Sequence, residues 1–135
     1  MIVVKELLNK DLDKAYLIYA DSFGKEITNS SLTLLGKIIG IYVDNILVGF
    51  CRIDYLNDIF ANEKRAYINS FCIDSKYRNM GYGDKLLKGC INILEKESIN
   101  YINMTSNKKR IIAHKLYEKN GFSIVDTCIF KRNLL

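Results

Sequence analysis

The sequence predicts one α+β domain over residues 1–135, built on a mixed, mostly antiparallel central sheet with helices on both faces. Three observations predict it. Apolar runs at 37–43 and 46–55 flank Asp44-Asn45, a pair suited to a tight hairpin, so the middle of the sheet is antiparallel. Stretches with helical periodicity separate most of the other strand-like runs, and such helices must cover the faces of a sheet. An apolar run at 67–73 passes through a glycine-bearing turn directly into an amphipathic helix.

The elements follow in chain order. Residues 2–7 read as a first strand. Asp11 or Asp13 is placed to cap a helix carrying Ala15, Leu17, Ile18 and Tyr19, and Gly24 ends it. Residues 28–35 read as a short second helix, and 56–64 as a polar loop between the hairpin strand and the strand at 66–73. The helix from 83 to about 97 puts Leu86, Leu87, Cys90, Ile91 and Leu94 on one face. Residues 100–105 read as a strand, 109–120 as a helix, and 122–131 as strand again, a terminal hairpin included.

Composition limits the function classes. Hydrophobic residues make up 49% of the 135 and charged residues 26%, as in a folded globular protein. No apolar run approaches the ~20 residues of a membrane span, and charge at Lys5 and Glu6 comes too early for a secretory signal, so the expected location is the cytoplasm. Cys51, Cys72, Cys90 and Cys128 are scattered and there is one histidine, a pattern that predicts no metal site. The net charge of +5 suits a polyanion or simply a solvated lysine surface. Lys108-Lys109-Arg110 is too short and too poor in neighbouring aromatics to imply nucleic acid.

The turn after the 67–73 strand carries the strongest chemical signal. Arg78, Asn79, Met80, Gly81, Tyr82, Gly83 and Asp84 lie between strand and helix, where the backbone can bend tightly and approach a ligand. The helix behind them adds free N–H donors and the positive end of its dipole, which together favour an anion. Gly83-Asp84-Lys85-Leu86 lacks the Lys-Ser/Thr of a P-loop, and Leu86 stands where a dinucleotide fingerprint needs glycine. Arg78-x-x-Gly81-x-Gly83 resembles instead the acyl-CoA pyrophosphate loop of the GNAT acyltransferase superfamily. A second segment agrees: Thr105 to Arg110, then Ala113 to Phe122 with its Leu-Tyr-Glu-Lys-x-Gly-Phe run, is similar to that superfamily's last helix and exit turn.

The resemblance implies acetyl transfer from acetyl-CoA to an amine of a small molecule or peptide. It implies that Phe71, Cys72 and Ile73 pair with the pantetheine arm through backbone groups, that residues 78–84 wrap the pyrophosphate, and that Asn107 contacts the pantetheine. It also makes Tyr117 the general acid. A departing thiolate needs a proton, and a phenol of pKa ~10 beside the sulfur can supply it. The amine poses the opposite problem. An alkyl amine of pKa ~10.4 is neutral at pH 7 at a cost of about 4.6 kcal/mol, so a base is needed.

Many relatives carry glutamate in the strand before the glycine loop, where this chain has Asn69. Asp54, Glu63, Asp74 or a water chain held by Asn69 and Ser70 remain open as the base. His114, one helical turn before Tyr117, is a further titratable group on a similar face. Arg110, two turns before Tyr117, either meets a CoA phosphate or stays solvated. An acyl-CoA sensor without turnover is the alternative that Asn69 favours. Acceptor choice is expected to fall to 28–36, 56–64 and the C-terminal strands. Ile129, Phe130, Leu134 and Leu135 would suit a homodimer contact.

Overall fold

A computed structural model of the chain describes residues 1–26, 30, 32 and 34–135. The described elements are β1 (Ile2–Glu6), α1 (Leu12–Phe23), β2 (Lys37–Val43), β3 (Ile46–Asp58), β4 (Glu63–Ile73), α2 (Tyr82–Lys96), β5 (Tyr101–Met104) and α3 (Ile111–Lys119). The strands form one sheet in the order β1-β2-β3-β4-β5, antiparallel except for the parallel β4–β5 pair. The mixed, mostly antiparallel sheet expected from the sequence is therefore observed. Asp44 (φ 49°) and Asn45 (φ 67°) both take the left-handed conformation that a two-residue hairpin turn demands.

Each face has its own core. Ala15 and Ile18 of α1 pack on Tyr42, Leu47, Phe50 and Cys72 on one side. Leu86, Leu87, Cys90 and Leu94 of α2 cover Ile39, Ile41, Cys51, Ile53 and Ile68 on the other, and Tyr117 of α3 joins that cluster. The spacing of the α2 residues is the one-sided apolar stripe of a sheet-covering helix.

Three expectations need correction. Asp11 precedes α1 but its side chain caps nothing; it accepts a 2.8 Å hydrogen bond from the Tyr42 hydroxyl, which ties the helix entry to β2. Residues 56–64 are mostly not a loop, because β3 and β4 continue as a ribbon through the pairs Leu56↔Arg65, Asn57↔Lys64 and Asp58↔Glu63. Asp58 closes that ribbon by accepting from the Phe60 and Ala61 amides and from Arg65. Residues 122–131 form no strand: every residue from 123 to 135 is exposed and unpaired with the sheet. Of the helix expected at 28–35, positions 28, 29, 31 and 33 lie outside the described residues, and the described positions 30, 32, 34 and 35 are not helical.

A bulge in β4 sets the geometry of the region that follows. Between the pairs Phe50↔Cys72 and Arg52↔Asn69, Ser70 and Phe71 oppose the single residue Cys51. Ser70 takes φ 55°, a strained value for a non-glycine residue. The extra residue reverses the alternation, so Phe71 rather than Ser70 faces α2 and α3. The β5 pairing stops at Ile68↔Met104, while β4 runs on to Ile73. The last five positions of β4, from Asn69, thus have no strand beside them on that side.

Candidate active site

A cleft of about 610 Å³ opens where β4 and β5 part. Its walls come from α1 (Tyr19, Phe23), the bulge of β4 (Asn69, Ser70, Phe71), the loop after β5, and Arg110 and Tyr117 of the α3 region. Tyr117 is 8% exposed and stacks edge-on against Phe71 (6.3 Å between ring centroids) and Phe122 (6.4 Å). Burial pushes its phenol pKa up, against a smaller lowering by the nearby Arg110 guanidinium. The group therefore holds its proton at neutral pH, as a proton donor must.

The bulge carries a polar chain along the cleft wall. The Ser70 hydroxyl donates to Asn69 Oδ1 (3.3 Å), and Asn69 Nδ2 donates to Asp54 Oδ2 (2.9 Å). Arg52 Nη2 also donates to Asp54 Oδ2, at 3.1 Å. Of the three carboxylates considered from sequence, Asp54 is thus one hydrogen bond from the cleft. Glu63 sits at the far end of the β3–β4 ribbon, and Asp74 accepts from the Lys76 amide in the 3₁₀ turn after β4. His114 is fastened elsewhere: its Nε2 donates to the Asn107 carbonyl (2.9 Å), holding the loop that lines the cleft.

The glycine turn lies at the other end of the open β4 edge. Asn79 (φ 63°) and Gly81 (φ 81°) are left-handed, and Gly81 leads directly into α2. An added Cβ on Gly81 would meet nothing within 4 Å, so space for a ligand borders the turn there. At Gly83 the missing Cβ faces inward, toward Leu116 (3.5 Å) and Phe71 (3.8 Å), so this glycine lets α2 lie close to α3 and β4. Arg78 braces the turn, donating from Nε to the Ile73 carbonyl and from Nη2 to Ser22 of α1. Asp84 points away from the turn, accepting from Lys88 and from Asn120 Nδ2 (2.9 Å), with Lys119 at 3.6 Å; these partners hold its pKa at about 2.

Of the other residues singled out in the sequence, Met80 is exposed and Tyr82 begins α2. Asn107 uses Oδ1 to accept from the Lys109 amide. Cys72 is buried on the α1 face, where desolvation pushes its thiol up to about 12 and leaves it protonated. Cys51 is raised as well, first by its 3.2 Å contact with Cys90 and then by burial. Neither thiol is activated. Sequence reasoning missed Tyr19 and Phe23, whose rings lie 4.8 Å apart on the cleft wall. Their spacing of four residues on α1 was the available signal.

Among the described residues there is no cluster of three or more His, Cys, Asp or Glu side chains that could hold a metal, and no helix long and apolar enough to cross a membrane. The chain is 30% identical to N-alpha-acetyltransferase 50 of Danio rerio over 81% of its own length and 62% of that protein's. It is 30% identical to the spermine/spermidine N(1)-acetyltransferase of Bacillus subtilis (strain 168) over 64% of its length and 59% of that protein's. It thus spans less than two thirds of the length of either relative. The solved ribosomal-protein-alanine N-acetyltransferase from Brucella melitensis biovar Abortus 2308 shares the fold, with a TM-score of 0.81 at 15% identity over 99% of both chains. The sequence profile of the Acetyltransferase (GNAT) family matches residues 4–122, and with the splayed β4–β5 pair and the glycine turn in place, the chain belongs to that family.

Proposed function

We propose that this chain transfers an acetyl group from acetyl-CoA to a primary amine by direct attack. The observation that carries the reading is the placement of Tyr117, proton-loaded and buried, on a cleft whose opposite wall is the unpaired end of β4. The residues present fit acetyl-CoA. The free edge at Phe71, Cys72 and Ile73 can accept an extended arm by backbone pairing. The left-handed turn from Arg78 to Gly81, with Tyr82, Gly83 and Asp84 opening α2, presents main-chain N–H donors to phosphate. Asn107 and Arg110 border the cleft between them.

Two proton transfers complete the account. Tyr117 gives its proton to the departing sulfur. Asp54 takes the amine proton through a water held at Asn69 and Ser70, which makes Asn69 the residue that orients the base. The aromatic wall of Tyr19 and Phe23 faces the acceptor side and suits an amine with apolar or cationic character. The relatives' names, an N-alpha-acetyltransferase and a polyamine acetyltransferase, both describe amine acceptors.

A panel of amines (peptide N-termini, polyamines, amino acids, aminoglycosides) incubated with acetyl-CoA and scored for free CoA thiol tests the reading and sorts the acceptor class. Turnover with one class supports it. The second reading, an acyl-CoA sensor, is favoured by Asn69 standing where a glutamate base is expected. Tight acetyl-CoA binding without turnover on any amine would select that reading instead.

A further inference from the structure

Among the described residues that line the cleft, Arg110 alone carries a formal charge at neutral pH; the others are aromatic, apolar, hydroxyl or amide side chains. Asp54 stands behind that wall, already bonded by Asn69 and Arg52. The Arg110 side chain is exposed and, among the described residues, makes no hydrogen bond or ion pair. Arg78, by contrast, is spent on the Ile73 carbonyl and Ser22. The Arg110 backbone is fixed: its amide donates to the Asn107 carbonyl (3.0 Å), and its own carbonyl accepts from the His114 amide (3.1 Å). An unspent guanidinium on a fixed base meets an anion at low ordering cost. Its reach is shown by two groups. Burial pushes up the Tyr117 phenol, and Arg110 opposes the rise. At Cys72, on the other face of the sheet, burial again raises the thiol, while Ser22, Arg78 and then Arg110 lower it. A charge felt on both faces sits over the gap between β4 and β5. The glycine turn lies elsewhere, because none of residues 78–84 is among those lining the cleft. Arg110 therefore stands with Tyr117 and Asn69 at the acyl-transfer end, not at the phosphate end.

We infer that Arg110 selects acceptors bearing a carboxylate close to the amine, holding that carboxylate from the α3 side of the gap while the amine faces Asn69 and Ser70 of β4. Such selection presupposes acetyl transfer in this cleft and so rests on that reading. The same chemistry has two sources, the α-carboxylate of a free amino acid and an acidic side chain next to a peptide N-terminus. A polyamine meets the reverse situation. Its second ammonium would face Arg110, with no carboxylate among the described lining residues to offset the repulsion.

Phenylalanine against phenylalaninamide isolates the first source, and the amidated dipeptides Phe-Glu and Phe-Gln isolate the second; spermidine serves as the polycation. Amidation of the carboxyl group also alters the amine pKa, so the readout is how far Arg110→Met changes the kcat/KM ratio within a pair, where that alteration cancels. In at least one pair the carboxylate member should lose about tenfold or more against its amide partner, chiefly through KM. Arg110→Lys should restore part of the ratio, since it returns the charge without the fork. Acetyl-CoA affinity, measured by calorimetry, should hold in both variants, and circular dichroism should show both folded. Ratios that Arg110→Met leaves unmoved in both pairs overturn the inference and leave acetyl transfer standing. So does spermidine as the better acceptor, or acetyl-CoA affinity lost in step with the preference. If no acceptor turns over, N-acetylphenylalanine and N-acetylphenylalaninamide titrated into the CoA-loaded chain decide the matter by binding. Arg110-dependent preference for the first keeps the carboxylate site and sinks the transfer reading, whereas equal binding, or none, overturns both.

Discussion

In the proposed reaction Tyr117 and Asp54 divide the chemistry, and each can be tested alone. Tyr117→Phe keeps the ring that packs on Phe71 and Phe122 but removes the proton, so turnover should fall about 10²-fold or more with acetyl-CoA affinity nearly unchanged. Because burial raises the phenol pKa above its ordinary value, wild-type kcat should not fall on account of this group until the pH is beyond the ordinary phenol range. Asp54→Asn should lower kcat/KM for the amine by about 10²-fold while leaving acetyl-CoA binding, measured by calorimetry, largely unchanged. Tyr117 was legible in the sequence because Leu-Tyr-Glu-Lys-x-Gly-Phe is a contiguous motif. Asp54 was not distinguishable from Glu63 or Asp74 there, since its link to Asn69 depends on the register of β3 against β4.

At the scale of elements, the turn into α2 and the contact of α2 with α3 do separate work. Met80 is 58% exposed beside the left-handed Gly81, so Met80→Glu should leave the fold intact and set a carboxylate against the phosphates. Acetyl-CoA binding should weaken roughly tenfold at low salt and less at high salt, as a screened charge would give. Asp84 ties α2 to the end of α3 through Asn120. Its folded pKa of about 2 lies below the ~3.9 of an unfolded aspartate, so the link adds stability above about pH 4 and loses it as pH falls toward 2. Asn120→Ala should therefore narrow the gap between melting temperatures at pH 6 and pH 3; an unchanged gap would assign the acid sensitivity to other carboxylates. The hairpin at Asp44-Asn45 and the Gly81 turn were readable because local backbone chemistry dictates them. The β3–β4 ribbon beyond Tyr55 was not, because cross-strand polar pairs rather than an apolar pattern hold it. The bulge at Ser70 was hidden for a related reason: a two-against-one count exists only between strands.

Across the whole molecule, the cleft is a product of topology. Residues from α1, β4, the loop after β5 and α3 meet because β5 stops four residues after it starts, and no local pattern announces that meeting. The strand expected at 122–131 is not observed, because β-branched and aromatic composition gives a segment strand propensity but does not supply a neighbouring edge for it to pair with. The aromatic wall is likewise a property of the assembled cleft, with Tyr19 and Phe23 contributed by a helix that the acyl-CoA motifs do not include. The central claim is that one acetyl group passes from acetyl-CoA to an amine in this cleft. Mass spectrometry of the best amine acceptor incubated with acetyl-CoA and the wild-type chain tests it most directly. The account predicts an amine heavier by one acetyl group, formed in step with free CoA thiol and suppressed in Tyr117→Phe. Thiol release with an unmodified amine, or no product from a chain that binds acetyl-CoA, would contradict it.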